Sequence, residues 1–226
     1  MVESAVLDTT PIEIAVFDLA GTTVRDPGIV ETAVRRATGA AFDESAFVEY
    51  RGGSKLDMLT ALVGPDEAGS ALEEFEHHIL NEVESGAIEP LPHADAALER
   101  IAAAGARVCV TTGFSTAIRT ALLRTLGWTQ RVDLALSPDE RCRGRPWPDL
   151  ILEAALQFQA SDMAAIAAVG DTANDVTSAR RAHTGIAAAV LTGAHDRARL
   201  DTAGPSHVFE HVGQFADLVV ARSTRS

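Results

Sequence analysis

Five short apolar runs limit what this chain can fold into. They fall at residues 12–17, 108–110, 132–136, 166–169 and 186–191. Apolar runs this short, without alternation, suit strands covered on both faces. Strands joined by helix-length connections pair in parallel, because each return has to cross the sheet. Residues 115–126 and 148–158 have the length of such crossover helices. The pattern predicts an α/β chain built on a Rossmann-like open parallel sheet.

The first gap breaks this rhythm. About ninety residues separate the first run from the second, far more than one crossover needs. The gap reads as several helices, roughly 28–38, 44–50, 54–63 and 66–85. Asp26-Pro27-Gly28 and Glu89-Pro90-Leu91-Pro92 punctuate its two ends as hinges. The expected organisation is a hydrolase-type core, residues 1–26 and 90–226, with a helical cap, residues 27–89, inserted after the first strand.

Charge and cysteine usage narrow the partners. A net charge of −13 over 226 residues argues against sequence-independent binding to nucleic acid or anionic membranes. No apolar run reaches the length of a bilayer span. The start, MVESAVLDTTPIEIAVFD, has neither a basic opening nor an apolar signal core. Cys109 and Cys142 form no paired framework or zinc pattern. The expectation is a cytoplasmic protein acting on a small molecule.

In open parallel sheets ligands bind beyond the carboxyl ends of the strands, and chemistry-bearing residues cluster there. The first run ends in Asp18, followed by Leu19-Ala20-Gly21-Thr22-Thr23. A carboxylate at that edge can be a nucleophile or a metal ligand, or can cap the next turn. The second run is followed by Thr112-Gly113, whose hydroxyl and backbone N–H groups can hold an oxyanion. Arg145 precedes the segment 148–158 and can offset phosphate charge. The fourth run leads into Gly170-Asp171-Thr172-Ala173-Asn174-Asp175. Its two carboxylates suit Mg²⁺, although Asp175 could equally cap a helix.

One basic residue stands apart. Of nineteen lysines and arginines only Lys55 is a lysine. Arginine replaces lysine in most structural tasks but cannot form a Schiff base, since its guanidinium stays protonated. Gly52-Gly53 breaks the preceding helix, and Ser54-Lys55-Leu56-Asp57 fits a capping sequence that puts Lys55 in a first helical turn. There the helix dipole disfavours a positive charge, and burial would add to the effect. Composition alone leaves survival by chance open.

The four motifs, in this order and at these strand ends, resemble the haloacid dehalogenase superfamily of hydrolases. The resemblance implies that Asp18 attacks phosphorus to give an aspartyl-phosphate. It implies Mg²⁺ held by Asp18, the Ala20 carbonyl and Asp171, with Asp175 in or near that shell. Thr112, Gly113 and Arg145 would hold the phosphoryl oxygens, and homodimerisation through the cap would be expected.

Phosphatases of the superfamily carry an acid two residues after the nucleophile, where this chain has Ala20. That absence fits a silent site, a displaced acid, or a reaction whose leaving group is not an alkoxide. Together with Lys55 it resembles the phosphonatase-like branch, which includes phosphonoacetaldehyde hydrolase. The resemblance implies cleavage of the C–P bond of a small phosphono-aldehyde through a Lys55 imine. The alternative is a phosphomonoesterase acting on a small phosphorylated metabolite. The likeness is incomplete: Met58 stands where the branch has a histidine, and Phe114 where it has an aromatic hydroxyl. His195 reads as a helix-start residue, His77-His78 as a solvated face, Trp128 and Trp147 as core or rim, and Tyr50-Arg51 as either packing or substrate contact.

Overall fold

Strand β1 (Ile14–Asp18) is buried along its whole length, which requires cover on both faces. The computed structural model describes residues 10–223, so the N-terminal reading lies outside it as far as residues 1–9 are concerned. Besides β1, the sheet contains β2 (Arg107–Thr111), β3 (Leu134–Leu136), β4 (Ile166–Gly170), β5 (Ile186–Val190) and β6 (His207–Phe209). Their order is β3-β2-β1-β4-β5-β6, and every pairing is parallel. The expected α/β architecture is present.

The five apolar runs became β1 to β5. The short β6, with sequence HVF and an exposed histidine, was not expected. An edge strand of three residues has one neighbour and needs no apolar run. β3 likewise shrinks to the end of its run and is only half-buried.

Four α-helices fill residues 27–89 of the first gap: α1 (Ile29–Thr38), α2 (Glu44–Tyr50), α3 (Lys55–Val63) and α4 (Pro65–Glu84). Their starts are set locally. The Asp43 side chain accepts from the Ala46 N–H, Ser54 Oγ accepts from the Asp57 N–H, and α4 opens on a proline. The remaining helices are α5 (Ala94–Ala103), α6 (Thr116–Thr125), α7 (Asp149–Phe158), α8 (Ala173–Arg181), α9 (Arg197–Thr202) and α10 (Val212–Ser223). Among the described residues no helix is long and apolar enough to cross a membrane.

Alternation along β1 divides the core. Ile14 and Val16 face one layer with Ile151 and Ala154 of α7. Ala15 and Phe17 face the other, where Phe17 meets Phe215 of α10 edge-on at 5.3 Å. That second layer continues without a break into the inserted helices through Met58, Phe75 and Ile79. Phe75 of α4 contacts Phe114, just beyond β2. Apolar packing therefore holds the inserted helices against the sheet end where Asp18 lies.

The sheet reverses direction at β1. The chain goes outward to β2 and β3, then returns to the other side of β1 as β4. In register, Asp18 lies beside Thr111 and Phe17 beside Val169. Asp18, Thr112 and Asp171 thus emerge at one edge, at the switch point where such folds bind ligands. Phe215 is fully buried. Phe215→Ala should cost about 3–5 kcal/mol, seen as a lower urea midpoint with an unchanged slope. An unmoved midpoint would contradict this account of the core.

Candidate active site

The loop after β1 is wound tightly around one carbonyl. The N–H groups of Thr22, Thr23 and Val24 all donate to the Leu19 carbonyl, and Thr23 Oγ donates to the Asp18 carbonyl at 2.8 Å. This fixes Asp18 at the strand end with little exposure. Gly21 has φ 88°, and a Cβ there would collide with the Asp171 carboxylate. Glycine is required because the first loop has to pass directly against the fourth motif.

Asp171 is 2% exposed. It accepts from Thr22 Oγ at 3.1 Å and from the Ala194 N–H at 2.7 Å. Burial first, and the Asp18 charge second, push its carboxyl up to about 7, against the pull of those donors. Two carboxylates crowded in a dry site favour a cation between them. Among the described residues no group of three or more His, Cys, Asp or Glu could hold a metal. Two carboxylates and a carbonyl nevertheless suit Mg²⁺, which keeps several waters and takes few protein ligands. The donor set fits that ion.

Arg145 supplies the balancing charge. It is 5% exposed, with Nη1 2.6 Å from Asp18 Oδ1 and paired as well with Asp175 Oδ1. Its Nε and Nη2 are buried and, among the described residues, without a hydrogen-bond partner. Buried unpaired donors are costly, so these are poised for an anion. Asp175 is engaged through both oxygens. Besides Arg145, it accepts from the Thr172 N–H at 2.9 Å and from Thr172 Oγ, closing a capping box on α8.

Lys55 opens α3 and is 7% exposed. Its Nζ donates to the Gly53 carbonyl at 3.1 Å and lies 5.6 Å from the centre of the Phe114 ring. Burial is the main cause, and Arg145 the next, that brings the amine down to about 8; Asp18 and Asp26 oppose the shift. Asp18, Ala20, Lys55, Thr112, Arg145 and Asp171 line one cavity of about 110 Å³. Gly113 belongs to it too, and its carbonyl accepts the Lys55 N–H at 3.2 Å. Of the residues that the resemblance assigns to the site, all line this cavity except Asp175, which is paired with Arg145.

Other lining residues were less legible. Asp26 was read only as hinge punctuation. Its Oδ1 accepts from the N–H groups of Gly28 and Val30, and its Oδ2 lies 3.6 Å from Arg51 Nη2. Arg51 lines the cavity and also lies 5.3 Å from the centre of the Phe47 ring, so both of its readings have a counterpart in the structure. Phe114 fills the space beneath the amine, and Met58 is fully buried in the apolar core. His195 does not start a helix: Asp196 caps α9. The buried His195 ring instead accepts from the Ala173 N–H at 3.0 Å. Burial, then Arg199, brings it down to about 4, so it is neutral and carries its proton on Nε2.

Comparison with known proteins agrees with this geometry. A model of the haloacid dehalogenase-like hydrolases matches residues 12–183. A curated relative, the bifunctional riboflavin kinase/FMN phosphatase of Arabidopsis thaliana, is 25% identical over 178 residues, 76% of this chain. The chain spans about half the length of that relative, 47%. A hydrolase structure from Pseudomonas syringae superposes with a TM-score of 0.79 at 23% identity, covering 91% of this chain and 96% of the other. A structure from Haemophilus somnus, described as a predicted phosphoglycolate phosphatase, gives 0.77 at 17% identity, covering 92% and 98%. On the extent of the family match and the parallel sheet that carries the site, the chain belongs to the haloacid dehalogenase-like hydrolases.

Proposed function

We propose that this hydrolase cleaves the C–P bond of a small phosphono-aldehyde, with Lys55 as the imine-forming amine and Asp18 as the phosphoryl acceptor. The observation that carries the reading is the buried Lys55 amine, brought down to about 8 in the same cavity as Asp18. The inserted helices, residues 27–89, act in this reading as the lid that brings it there.

The chemistry follows from these groups. Neutral Lys55 Nζ adds to the aldehyde carbon, one proton is taken up from solvent and water leaves, giving a protonated imine whose carbon is two bonds from phosphorus. Asp18 then attacks phosphorus and the C–P bond breaks. Its electron pair moves into the carbon chain to give an enamine, so no alkoxide needs a proton and Ala20 suffices. The enamine takes a proton on carbon and is hydrolysed to aldehyde and free lysine. Water hydrolyses the aspartyl-phosphate to release phosphate. Arg145 Nε and Nη2, with Thr112 and Gly113, hold the phosphoryl oxygens. Asp18, Asp171 and the Ala20 carbonyl would hold Mg²⁺, with Asp175 beside that shell; the ion would neutralise phosphoryl charge. The small cavity suits a substrate of few carbons.

A second reading is hydrolysis of a small phosphate ester. Asp18, Arg145, Thr112 and Asp171 handle a phosphoryl group in the same way whether carbon or oxygen leaves, and the Arabidopsis relative is named in part a phosphatase. Borohydride trapping with phosphonoacetaldehyde separates the two. Lys55 is the chain's only lysine, so a reduced adduct on its peptide identifies it. The expected result is trapping there, with phosphate release abolished in Lys55→Arg. No adduct, with phosphate esters turned over equally by Lys55→Arg, would sink the proposal.

Two further outcomes follow. Imine formation should rise as pH rises through about 8 and level off above, because a lowered amine pKa puts the neutral form above that value. Ala20→Asp should raise phosphate-ester hydrolysis by about 10²-fold through general acid catalysis, measured with a panel of sugar and glycolyl phosphates.

A further inference from the structure

Among the described contacts between α1–α4 and the rest of the chain, one core side chain grips the loop that carries Lys55. Asn174, in the first turn of α8, is half-buried. Its single Nδ2 donates to the Arg51 carbonyl at 2.8 Å and to the Glu49 carbonyl at 3.0 Å. Both acceptors lie at the C-terminal end of α2, where helix carbonyls have no partner of their own. Both protons of one amide are therefore spent on the inserted helices.

The chain from there to the amine is short and has little freedom. Gly52 presses on the Thr172 side chain so closely that a Cβ would collide with it. A Cβ on Gly53 would lie 2.8 Å from the Arg145 carbonyl. The Gly53 carbonyl then accepts from Lys55 Nζ, and the Lys55 N–H donates to the Gly113 carbonyl. Apolar packing at Phe75 and Phe114 draws the helices down but is not directional. The paired amide bonds fix where the loop lands.

We propose that Asn174 is a positioning residue, a latch whose two hydrogen bonds seat the residue 49–53 loop on the core and so hold the Lys55 amine in the Asp18 cavity. Its catalytic consequence rests on the reading of Lys55 as the reacting amine; the seating itself does not.

The test probes exposure of the segment that carries the amine, without substrate. Lys55 is the chain's only lysine, so a lysine-specific endoprotease cuts the full-length protein at one place, and cleavage there under native conditions is followed by intact mass. The parent protein should be cut slowly, because Lys55 is buried at the start of α3. Asn174→Ala should be cut about tenfold faster, the population shift expected from losing two hydrogen bonds. Asn174→Gln, which keeps the donors, should fall back toward the parent rate. Binding of inorganic phosphate, measured by calorimetry, should be unchanged in both variants, because Asp18 and Arg145 are untouched. Equal cleavage in Asn174→Ala and parent would overturn the proposal. So would a cleavage change matched by an equal loss of phosphate binding, which would mean that Asn174 merely supports the α8 loop. Failure of borohydride trapping alongside accelerated cleavage would remove the imine chemistry and leave the latch standing.

Discussion

Two buried carboxylates that repel each other, Asp18 and Asp171, define the working end of this protein. They are brought together because β1 and β4 are neighbours and both loops turn toward the same edge. Keeping them there requires positive charge, and Arg145 provides it while also tying Asp175 to the same point. The glycine loops, the capping box and the docked helices all keep water from that cluster. Removing solvent strengthens every charge interaction inside it, so the same enclosure that makes the pair costly would strengthen its hold on the cation and phosphoryl group of the proposed reaction.

Lys55 answers to that environment in the opposite sense. A buried amine beside an arginine loses its proton more readily, while a buried carboxylate beside another carboxylate keeps it. One enclosed space thus moves Lys55 and Asp171 toward neutrality from opposite directions. The proposed imine reaction needs both a neutral amine and a carboxylate edge that favours a cation, and a single act of burial shifts both groups that way.

Much of this was legible in the sequence because it is local. The strand runs declared themselves by unbroken apolar character, and the inserted helices by the Pro/Gly punctuation at both ends and the cap at Ser54. Asp18, Thr112, Arg145 and Asp171 were legible because each follows or precedes an element whose end is easy to locate. What escaped depended on distant partners. β6 has almost no apolar signal, since an edge strand can be held by one neighbour. The gripping of the α2 end by Asn174 spans more than a hundred residues. The ring of His195 turned toward the α8 backbone, a choice set by packing between two loops. The pairing of Arg51 with Asp26 joins the end of α2 to the hinge before α1, a contact that sequence spacing does not reveal.

One meeting of the inserted segment with the sheet end is made of main chain: Gly53 against Gly113, and the Lys55 N–H on the Gly113 carbonyl. A seam of this kind is blind to side-chain identity away from the glycines. Substitutions on the inserted helices away from this seam and from the packing at Met58, Phe75 and Ile79 can therefore reshape the chamber without altering how the helices seat. Fit to the substrate and exclusion of water become separately adjustable properties, and a new preference can be acquired without first dismantling the enclosure.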